Sequence, residues 1–239
     1  MGRSAAPRHP VPVLDPQWEP ILTPSKIRKL FERFEAADPS PKTELDYTSP
    51  YTLVVAVALS AQATDVSVNK ATARLFSLAD TPTAMVALGL DQITDLIRTI
   101  GLFRNKAKNV LALSRILIDQ HGGEVPLNRE ALQALPGVGR KTASVVLNEL
   151  GIEPAVAVDT HVFRVAHRLG LADGKTPDAV ERQLKAAIPA QWLQRAHHWL
   201  ILHGRYVCVA RKPRCEVCPV ADLCPSRPAP KRPSRSTEA

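Results

Sequence analysis

The stretch NREALQALPGVGRKTASVVLNELG, residues 128–151, contains two helical patterns separated by a short turn. Pro136 ends the first helix because it has no amide hydrogen to donate, and Gly137 and Gly139 allow a sharp reversal of the backbone. The amides that open the second helix lack intrahelical acceptors and lie at the positive end of its dipole, so they can bind a DNA phosphate. The pattern predicts a helix-hairpin-helix, and the alternative is an ordinary turn between two helices.

The turn and the start of the second helix supply the candidate phosphate contacts. These are Gly137, Val138, Gly139, Arg140 and Thr142. An earlier stretch, IGLFRNKA at 100–107, has the same order of apolar residue, glycine, apolar residue and basic residue. It predicts a second, degenerate hairpin with an apolar tip.

The rest of the chain is also predicted to be helical. Apolar residues recur at helical spacing, and several prolines follow a Ser or Thr, as in Ser49-Pro50, Thr81-Pro82 and Thr176-Pro177, which is typical of a capped helix start. The predicted helical segments are 24–36, 50–61, 64–78, 82–88, 91–99, 104–120, 128–134, 139–150, 160–169, 177–187 and 190–204. With no sheet predicted, the fold class is all-α.

The length and charge of the chain limit the possible number of cores and the possible binding partners. A chain of 239 residues can bury one large core or two modest ones. Its net charge of +8 and pI near 9.6 favour a polyanionic partner such as nucleic acid. The longest apolar run, at 53–61, is far shorter than the roughly 20 residues that span a bilayer, and the N-terminus has no apolar segment of a secretory signal. We therefore expect no association with a membrane.

Four cysteines, the whole complement of the chain, lie close together near its end. Cys208, Cys215, Cys218 and Cys224 follow the spacing C-x6-C-x2-C-x5-C. A chain without an export signal meets a reducing compartment, so ligation of a metal or cluster is favoured over disulfides. Because a single C-x2-C is flanked by longer arms, the spacing favours a four-iron cluster, with zinc as the alternative.

Two residues are candidates for catalysis, although neither indicates an enzyme by itself. Lys141 directly follows the hairpin turn, where it could act only as another phosphate contact. Asp159 lies 18 residues further on, where it could act only as the cap of the next helix.

The combination of these motifs resembles endonuclease III, the bifunctional DNA glycosylase and abasic-site lyase family of the helix-hairpin-helix superfamily. The matching stretches are LPGVGRKTA at 135–143, AVDTHVFRV at 157–165, LSAQATDVSVNKAT at 59–72, TIGL at 99–102, HHWLILHGRY at 197–206 and the cysteine run. The likeness covers about residues 24–226.

The resemblance implies a fold of two helical lobes with DNA in the cleft between them. One lobe is a six-helix barrel, residues 45–153, that carries the hairpin. The other is a discontinuous iron-sulfur lobe, residues 24–44 plus 154–226. Residues 1–23 and 227–239 lie outside both lobes and are expected to be disordered.

The resemblance also implies an activity, which is removal of oxidised or fragmented pyrimidines from double-stranded DNA followed by β-elimination at the abasic site. It makes Lys141 the nucleophile, Asp159 its electrostatic partner, and Gln62 and Leu102 the residues that fill the gap of an extruded nucleotide. His161 and Lys212 are further DNA contacts. One [4Fe-4S] cluster per chain, a monomer, and a cytoplasmic location at the nucleoid are expected.

The chemistry sets a requirement on the lysine. Its amine must be uncharged to attack the sugar C1′, and removing the proton at neutral pH costs about 4.6 kcal/mol. We expect partial burial, the positive end of the helix and Arg140 to disfavour the ammonium form. Asp159 opposes them, so its role must be to stabilise the positive charge that grows on the sugar.

One residue departs from the family pattern, and two other functions are compatible with parts of the sequence. Gln133 stands where endonuclease III members often carry an acidic residue, which predicts an altered rate or substrate preference. A related adenine glycosylase lacks the lysine and has an additional C-terminal domain, so Lys141 and the short tail argue against it. The second rival is a non-catalytic DNA-binding or iron-sulfur redox module.

Overall fold

The computed structural model describes residues 18–227, and the two predicted disordered segments lie outside it except for residues 18–23 and 227. Within the described range there are ten α-helices and no strand, which confirms the all-α fold. The helices are α1 (Pro24–Ala37), α2 (Pro50–Leu59), α3 (Asp65–Phe76), α4 (Pro82–Leu96), α5 (Phe103–His121), α6 (Arg129–Ala134), α7 (Arg140–Glu149), α8 (Thr160–Arg168), α9 (Pro177–Ala187) and α10 (Ala190–Tyr206).

The helix starts confirm the predicted caps. The side chains of Ser49, Thr81 and Thr176 each accept a hydrogen bond from a backbone amide of the first turn, and a proline follows each of them. The break predicted between 88 and 91 is a kink inside α4, where Gly89 has φ 80° and ψ 166°.

The chain divides into two compact units. The first, here the barrel unit, consists of residues 38–157 and 190–199. The second, here the cysteine unit, contains the described parts of 1–37, 158–189 and 200–239. Residues 38–44 and 154–157 and the part of α10 from Ala190 to Trp199 belong with the barrel unit, whereas the resemblance implies that 24–44 and 154–226 form the other lobe.

Helix α2 is the centre of the barrel unit. Every residue from Tyr51 to Leu59 is buried, and α2 contacts α3, α5 and α7. A helix that is apolar on all sides is stable only when other elements surround it, and each fully buried Val or Leu contributes about 1.5–3 kcal/mol. The one phenol on α2 is satisfied, since Tyr51 Oη lies 2.6 Å from Ser114 Oγ on α5.

The predicted helix-hairpin-helix is present as α6, a turn and α7. Leu135 and Val138 are 2% and 4% exposed and fix the turn to the core. The amide of Val138 donates to the carbonyl of Leu135 at 3.1 Å, while Gly137 has φ 81°. At the other end of α7, Glu149 accepts hydrogen bonds from Tyr47 and His198, so both ends of the helix are held.

In the cysteine unit, α8 packs against α9 and lies close to the last turns of α10. A Cβ added at Gly204 would come within 2.9 Å of His161 Cβ, so this approach requires a glycine. Arg164 on α8 donates to the carbonyl of Gly204 at 2.8 Å and strengthens the contact.

Among residues 18–227, no helix combines the length and apolar character that crossing a membrane requires.

The conformation of the turn predicts that alanine is tolerated less well at Gly137 than at Gly139. A Cβ at Gly137 would lie 3.0 Å from Asn109 Cβ in a backbone conformation that L-residues rarely adopt, whereas a Cβ at Gly139 would meet nothing within 4 Å. We expect Gly137→Ala to lower the free energy of unfolding by about 1–3 kcal/mol and Gly139→Ala to change it by less than about 0.5 kcal/mol. Thermal unfolding of the two variants measures this. Equal losses of stability would show that the hairpin does not depend on the conformation of Gly137.

Candidate nucleic-acid interface and cysteine loop

Lys141 is the second residue of α7 and is exposed. The free protein therefore leaves much of the Lys141 side chain open to solvent. What acts on it is the positive end of α7, whose N-cap is Gly139 and has no side-chain hydrogen bond, whereas Asn128 and Asp159 cap the neighbouring helices α6 and α8. The start of α7 is thus left without the side-chain oxygen that usually covers such a helix end.

The turn residues offer a ligand mainly their backbone. Gly137, Gly139 and Arg140 are exposed and Thr142 is half-buried, but the Val138 side chain is a core residue. A phosphate that approached the turn would meet backbone amides with no side chain over the two glycines, as the sequence predicted.

Gln62 and Leu102 lie 40 residues apart in sequence but line one cavity of the barrel unit, with a volume of about 170 Å³. Gly137 of the hairpin lines the same cavity. Leu102 leaves 60% of its surface exposed, although it is a large apolar side chain. The structure therefore brings the two predicted gap-filling residues together with the turn that is predicted to bind phosphate.

Backbone strain marks the same residues. Within residues 18–227, the non-glycine residues with positive φ are Gln62 at 55°, Leu102 at 60° and Lys212 at 53°. All three were predicted as DNA contacts. Such conformations cost about 1–3 kcal/mol each and cluster where a binding site requires a side chain to be presented in a particular direction.

Asp159 caps α8, as the simpler interpretation of the sequence predicted. Its Oδ1 accepts from the amides of His161 and Val162, both at 2.8 Å. Its Oδ2 makes no hydrogen bond or ion pair to any part of the chain that the structure describes. One oxygen thus fixes the carboxylate while the other stays available for charge stabilisation. Asp159 belongs to the cysteine unit and Lys141 to the barrel unit.

His161, the residue after Thr160, is half-buried in the cysteine unit. Arg164 Nη2 lies 3.3 Å from its Nδ1, which orients the ring. The predicted DNA contact through His161 would therefore use its other ring nitrogen.

The four cysteines are free thiols, each half-buried, and they lie near one another in the loop. Burial raises the pKa of the Cys218 and Cys224 thiols, and the other cysteines of the loop raise it further because neighbouring thiolates repel. Four thiolates in one place require positive charge, which an iron-sulfur core supplies. Among residues 18–227, no three side chains of His, Cys, Asp or Glu are arranged to hold a single metal ion, whereas a cubane gives each thiolate its own iron.

Three arginines that sequence analysis missed hold this loop. Arg168 donates to Cys208 Sγ at 3.5 Å and to the carbonyls of Val209 and Ala210 at 2.8 and 2.9 Å. Arg164 donates to the carbonyl of Cys208 at 3.1 Å. The spacing of these two arginines on α8, four residues apart, was a signal that could have found them.

The third arginine is Arg33 on α1, which pairs through both of its terminal nitrogens with Asp222 and also donates to the carbonyl of Pro219 at 3.0 Å. No feature of the sequence predicts this bond across 189 residues. His203 completes the surroundings of the loop, with Nε2 3.7 Å from Cys218 Sγ. Burial lowers the pKa of His203 to about 4, so its ring is neutral at physiological pH.

The residues between Cys208 and Cys215 form an exposed basic loop. Arg211, Lys212 and Arg214 are all exposed, and Arg214 donates to the carbonyl of Tyr206 at 3.2 Å. The loop is thus fixed at its base by hydrogen bonds while its cations face solvent.

A helix-hairpin-helix with an uncapped second helix, a cavity lined by strained residues and a four-cysteine loop together define a helix-hairpin-helix DNA repair protein of the iron-sulfur type. Residues 55–190 match the model of the HhH-GPD superfamily of base excision DNA repair proteins, and residues 208–224 match the iron-sulfur binding domain of endonuclease III. The chain belongs to the endonuclease III family, whose members are bifunctional DNA glycosylases and abasic-site lyases.

Individual relatives support this assignment. The chain is 53% identical over 203 residues to endonuclease III of Escherichia coli (strain K12), covering 85% of this chain and 96% of that protein. It is 56% identical over 198 residues to endonuclease III of Rickettsia conorii, covering 83% and 94%. These matches confirm the predicted family and set aside a non-catalytic module and a zinc loop.

Two solved structures are similar over most of the chain. The structure of a trapped endonuclease III–DNA covalent intermediate, an estranged-adenine complex, matches with a TM-score of 0.79 and 44% identity, covering 86% of this chain and 97% of that one. The structure of a thermostable thymine-DNA glycosylase matches with a TM-score of 0.73 and 25% identity, covering 85% and 97%.

The cysteine loop predicts the metal content of the protein. Purified protein should be yellow-brown and contain about four irons and four sulfides per chain, because four thiolates in one loop can each bind one iron of a cubane. Cys215→Ser should lower the iron content, while an exposed serine introduced outside the ligand set, as in Val217→Ser, should leave it unchanged. A colourless, fully active protein that contains zinc would contradict the assignment.

Proposed function

We propose that the protein removes oxidised or fragmented pyrimidine bases from double-stranded DNA and then cleaves the abasic site on its 3′ side. The observation that carries this proposal is the exposed Lys141 amine on the first turn of an uncapped helix, directly after the hairpin. A phosphate bound by the hairpin amides would bring a deoxyribose within reach of that amine.

In this proposal, Lys141 is the nucleophile. Its amine attacks C1′ as the bond to the damaged base breaks, and the base leaves with the electron pair of that bond. Positive charge grows on the sugar while the base departs. Asp159 stabilises this charge with its free oxygen and accepts the proton that Lys141 loses.

The lyase step follows from the same amine. After the ring opens, the imine between Lys141 and C1′ withdraws electrons and acidifies the hydrogens at C2′. Loss of one of these protons expels the 3′ phosphate by β-elimination. The exposed position of Lys141 gives the amine room for both steps, and DNA that covers the site supplies the burial that the free protein lacks.

Gln62 and Leu102 are proposed to fill the space that the extruded nucleotide leaves. A damaged base must leave the stack before it can react, which costs a few kcal/mol. The exposed Leu102 side chain, held out by its strained backbone, is suited to wedge between bases, and the amide of Gln62 can hydrogen-bond the orphaned base.

The cluster has an architectural role in this proposal. Cys208, Cys215, Cys218 and Cys224 hold it, and when bound it ties both ends of the basic loop to the cysteine unit. The exposed cations at 211, 212 and 214 then face the DNA backbone, with Lys212 at the strained position of the loop. No step of the reaction passes through the cluster.

The two compact units correspond in this proposal to the barrel lobe and the iron-sulfur lobe, and DNA contacts residues of both. Lys141 belongs to the barrel unit and Asp159 to the cysteine unit. We infer that the protein works on chromosomal DNA at the nucleoid.

Gln133 distinguishes this chain from relatives with a carboxylate at that position. Its side chain is exposed and its Nε2 donates to the carbonyl of Arg129 at 3.4 Å, one turn earlier on α6. The hairpin therefore carries one negative charge less than in those relatives, which favours binding of a phosphate to its amides.

Reduction with borohydride tests the catalytic pair, because it converts an imine into a stable amine. Wild-type protein incubated with abasic DNA should give a covalent complex. Lys141→Gln should give none but should still bind DNA, since the hairpin amides remain. Asp159→Asn should slow turnover by about 100-fold or more and preserve DNA binding.

The asparagine variant is a matched control for folding. Asn caps helices as well as Asp does, so Asp159→Asn keeps the start of α8 and removes only the charge. Trapping of Lys141→Gln at the wild-type rate would identify another amine as the nucleophile. An unchanged rate for Asp159→Asn would remove the electrostatic role of the carboxylate.

The proposed gap-filling role predicts that loss of Gln62 or Leu102 affects duplex DNA more than single-stranded DNA. Leu102→Ala and Gln62→Ala should slow lesion removal from duplex DNA by about 10-fold or more but change cleavage of a single-stranded abasic oligonucleotide little, because only the duplex has a stack to fill. Leu78 is a matched control for Leu102, since it lies in the same unit and is 61% exposed against 60%. Equal losses on both substrates, or an equal effect of Leu78→Ala, would argue against the wedge.

A further inference from the structure

Lys106 is a buried lysine to which the proposed reaction gives no role. It is the fourth residue of α5, is only 7% exposed, and its Nζ has no hydrogen-bond partner within residues 18–227. Burial lowers the pKa of Lys106. A buried cation is almost always paired, so an unpaired one requires an explanation.

The position of Lys106 on α5 adds to the free-energy cost of burying its charged amine. The first turn of α5 carries the positive end of the helix dipole, where a cation is disfavoured, and its N-cap residue Leu102 provides no side-chain oxygen. A methionine of similar length would fill the same space without desolvating an amine, so packing alone does not require a lysine here.

Lys106 lines the cavity of about 170 Å³ that Gln62, Leu102 and Gly137 also line. The remaining walls are apolar apart from two asparagines, Asn105 and Asn109. The unpaired amine therefore adjoins the place where the proposed function puts the stacking gap. The two walls with strained backbones, at Gln62 and Leu102, flank the same space.

We propose that Lys106 donates a hydrogen bond to the base that loses its partner opposite the lesion, and that this bond favours guanine at that position. The proposal rests on the proposed function, since the opposite base is orphaned only when the damaged nucleotide is extruded. The ammonium group has only donors, and guanine presents two adjacent acceptors, O6 and N7. In adenine, the N6 amino group stands beside N7 and repels a second donor.

A base edge fits this amine better than a phosphate does. The neighbouring cations of α5, Arg104 and Lys108, are exposed, as side chains that contact the DNA backbone are. Lys106 is instead buried beside the apolar Leu102 and lines the same cavity. The flexible stem of a lysine lets the amine extend to an acceptor once DNA opens the cavity.

Single-turnover base removal tests this assignment. The substrates are oligonucleotides that carry one oxidised pyrimidine opposite G, A, C, T or an abasic position. Lys106→Met keeps the length of the side chain and removes the donors. It should slow base removal opposite guanine by about 10-fold, opposite adenine by less, and opposite the abasic position by less than about 2-fold. Lys106→Arg restores donors and should recover part of the preference for guanine.

Lys108→Met is the matched control, because it removes an exposed lysine from the same helix. It should weaken reaction with all opposite partners equally, and more at low salt than at high salt. The same uniform pattern for Lys106→Met, including the abasic position, would mean that Lys106 contacts the backbone and would overturn the proposal. A loss that is greatest opposite adenine would overturn it as well.

Two further measurements distinguish recognition of the base by Lys106 from two alternatives. These are a purely structural role of Lys106 and a failure of the proposed function. Without DNA, Lys106→Met should unfold at the same temperature as the wild type or higher, since it removes an unpaired buried amine; a clear loss of stability would make Lys106 a structural residue. Borohydride trapping on a single-stranded abasic oligonucleotide should be the same for Lys106→Met and wild type. Failure of the wild type to trap would refute the proposed function, whereas normal trapping with no dependence on the opposite base refutes only the role of Lys106.

Discussion

Burial of α2 is the constraint on which the barrel unit depends. This helix is apolar on every side, so it requires α3, α5 and α7 around it. The helices that surround it are also those that carry the site, since α7 begins beside Lys141 and α5 begins beside Leu102. Gln62 follows the end of α2 by three residues. Close packing around one apolar helix thus fixes the positions of side chains that are far apart in sequence.

Features that cost stability are concentrated at the surface that this packing presents. Gln62 and Leu102 have strained backbones, Lys106 is buried without a partner, and α7 starts without a side-chain cap. Each of these is disfavoured in the free protein, and under the proposed function each gains a partner when DNA binds. The buried core supplies the stability that allows such a surface to persist. In the cysteine unit, Lys212 shows the same kind of strain in the basic loop.

Local features of the sequence predicted the helices, their caps and the hairpin, because apolar periodicity, Ser/Thr-Pro pairs and glycines act within a few residues. The gap-filling residues came from a family resemblance, and their shared cavity came only from the structure. Long-range contacts could not be predicted: the Arg33–Asp222 pair spans 189 residues, and Ala190–Trp199 belongs with the barrel unit although its neighbours in sequence do not. The burial of Lys106 and the exposure of Lys141 depend on tertiary packing, which residue type does not encode.

The arginines around the cysteine loop hold it through bonds that are separate from those its cysteines would make to iron. Arg168, Arg164 and Arg33 bind carbonyls and a carboxylate of the loop. Two sulfurs also contact Arg168, since Cys208 Sγ accepts from its side chain and Cys224 Sγ donates to its carbonyl. The polypeptide therefore specifies part of the path of the loop itself, whereas small zinc domains fold only around their metal. Loss of one of these arginines would loosen the loop without removing a cysteine.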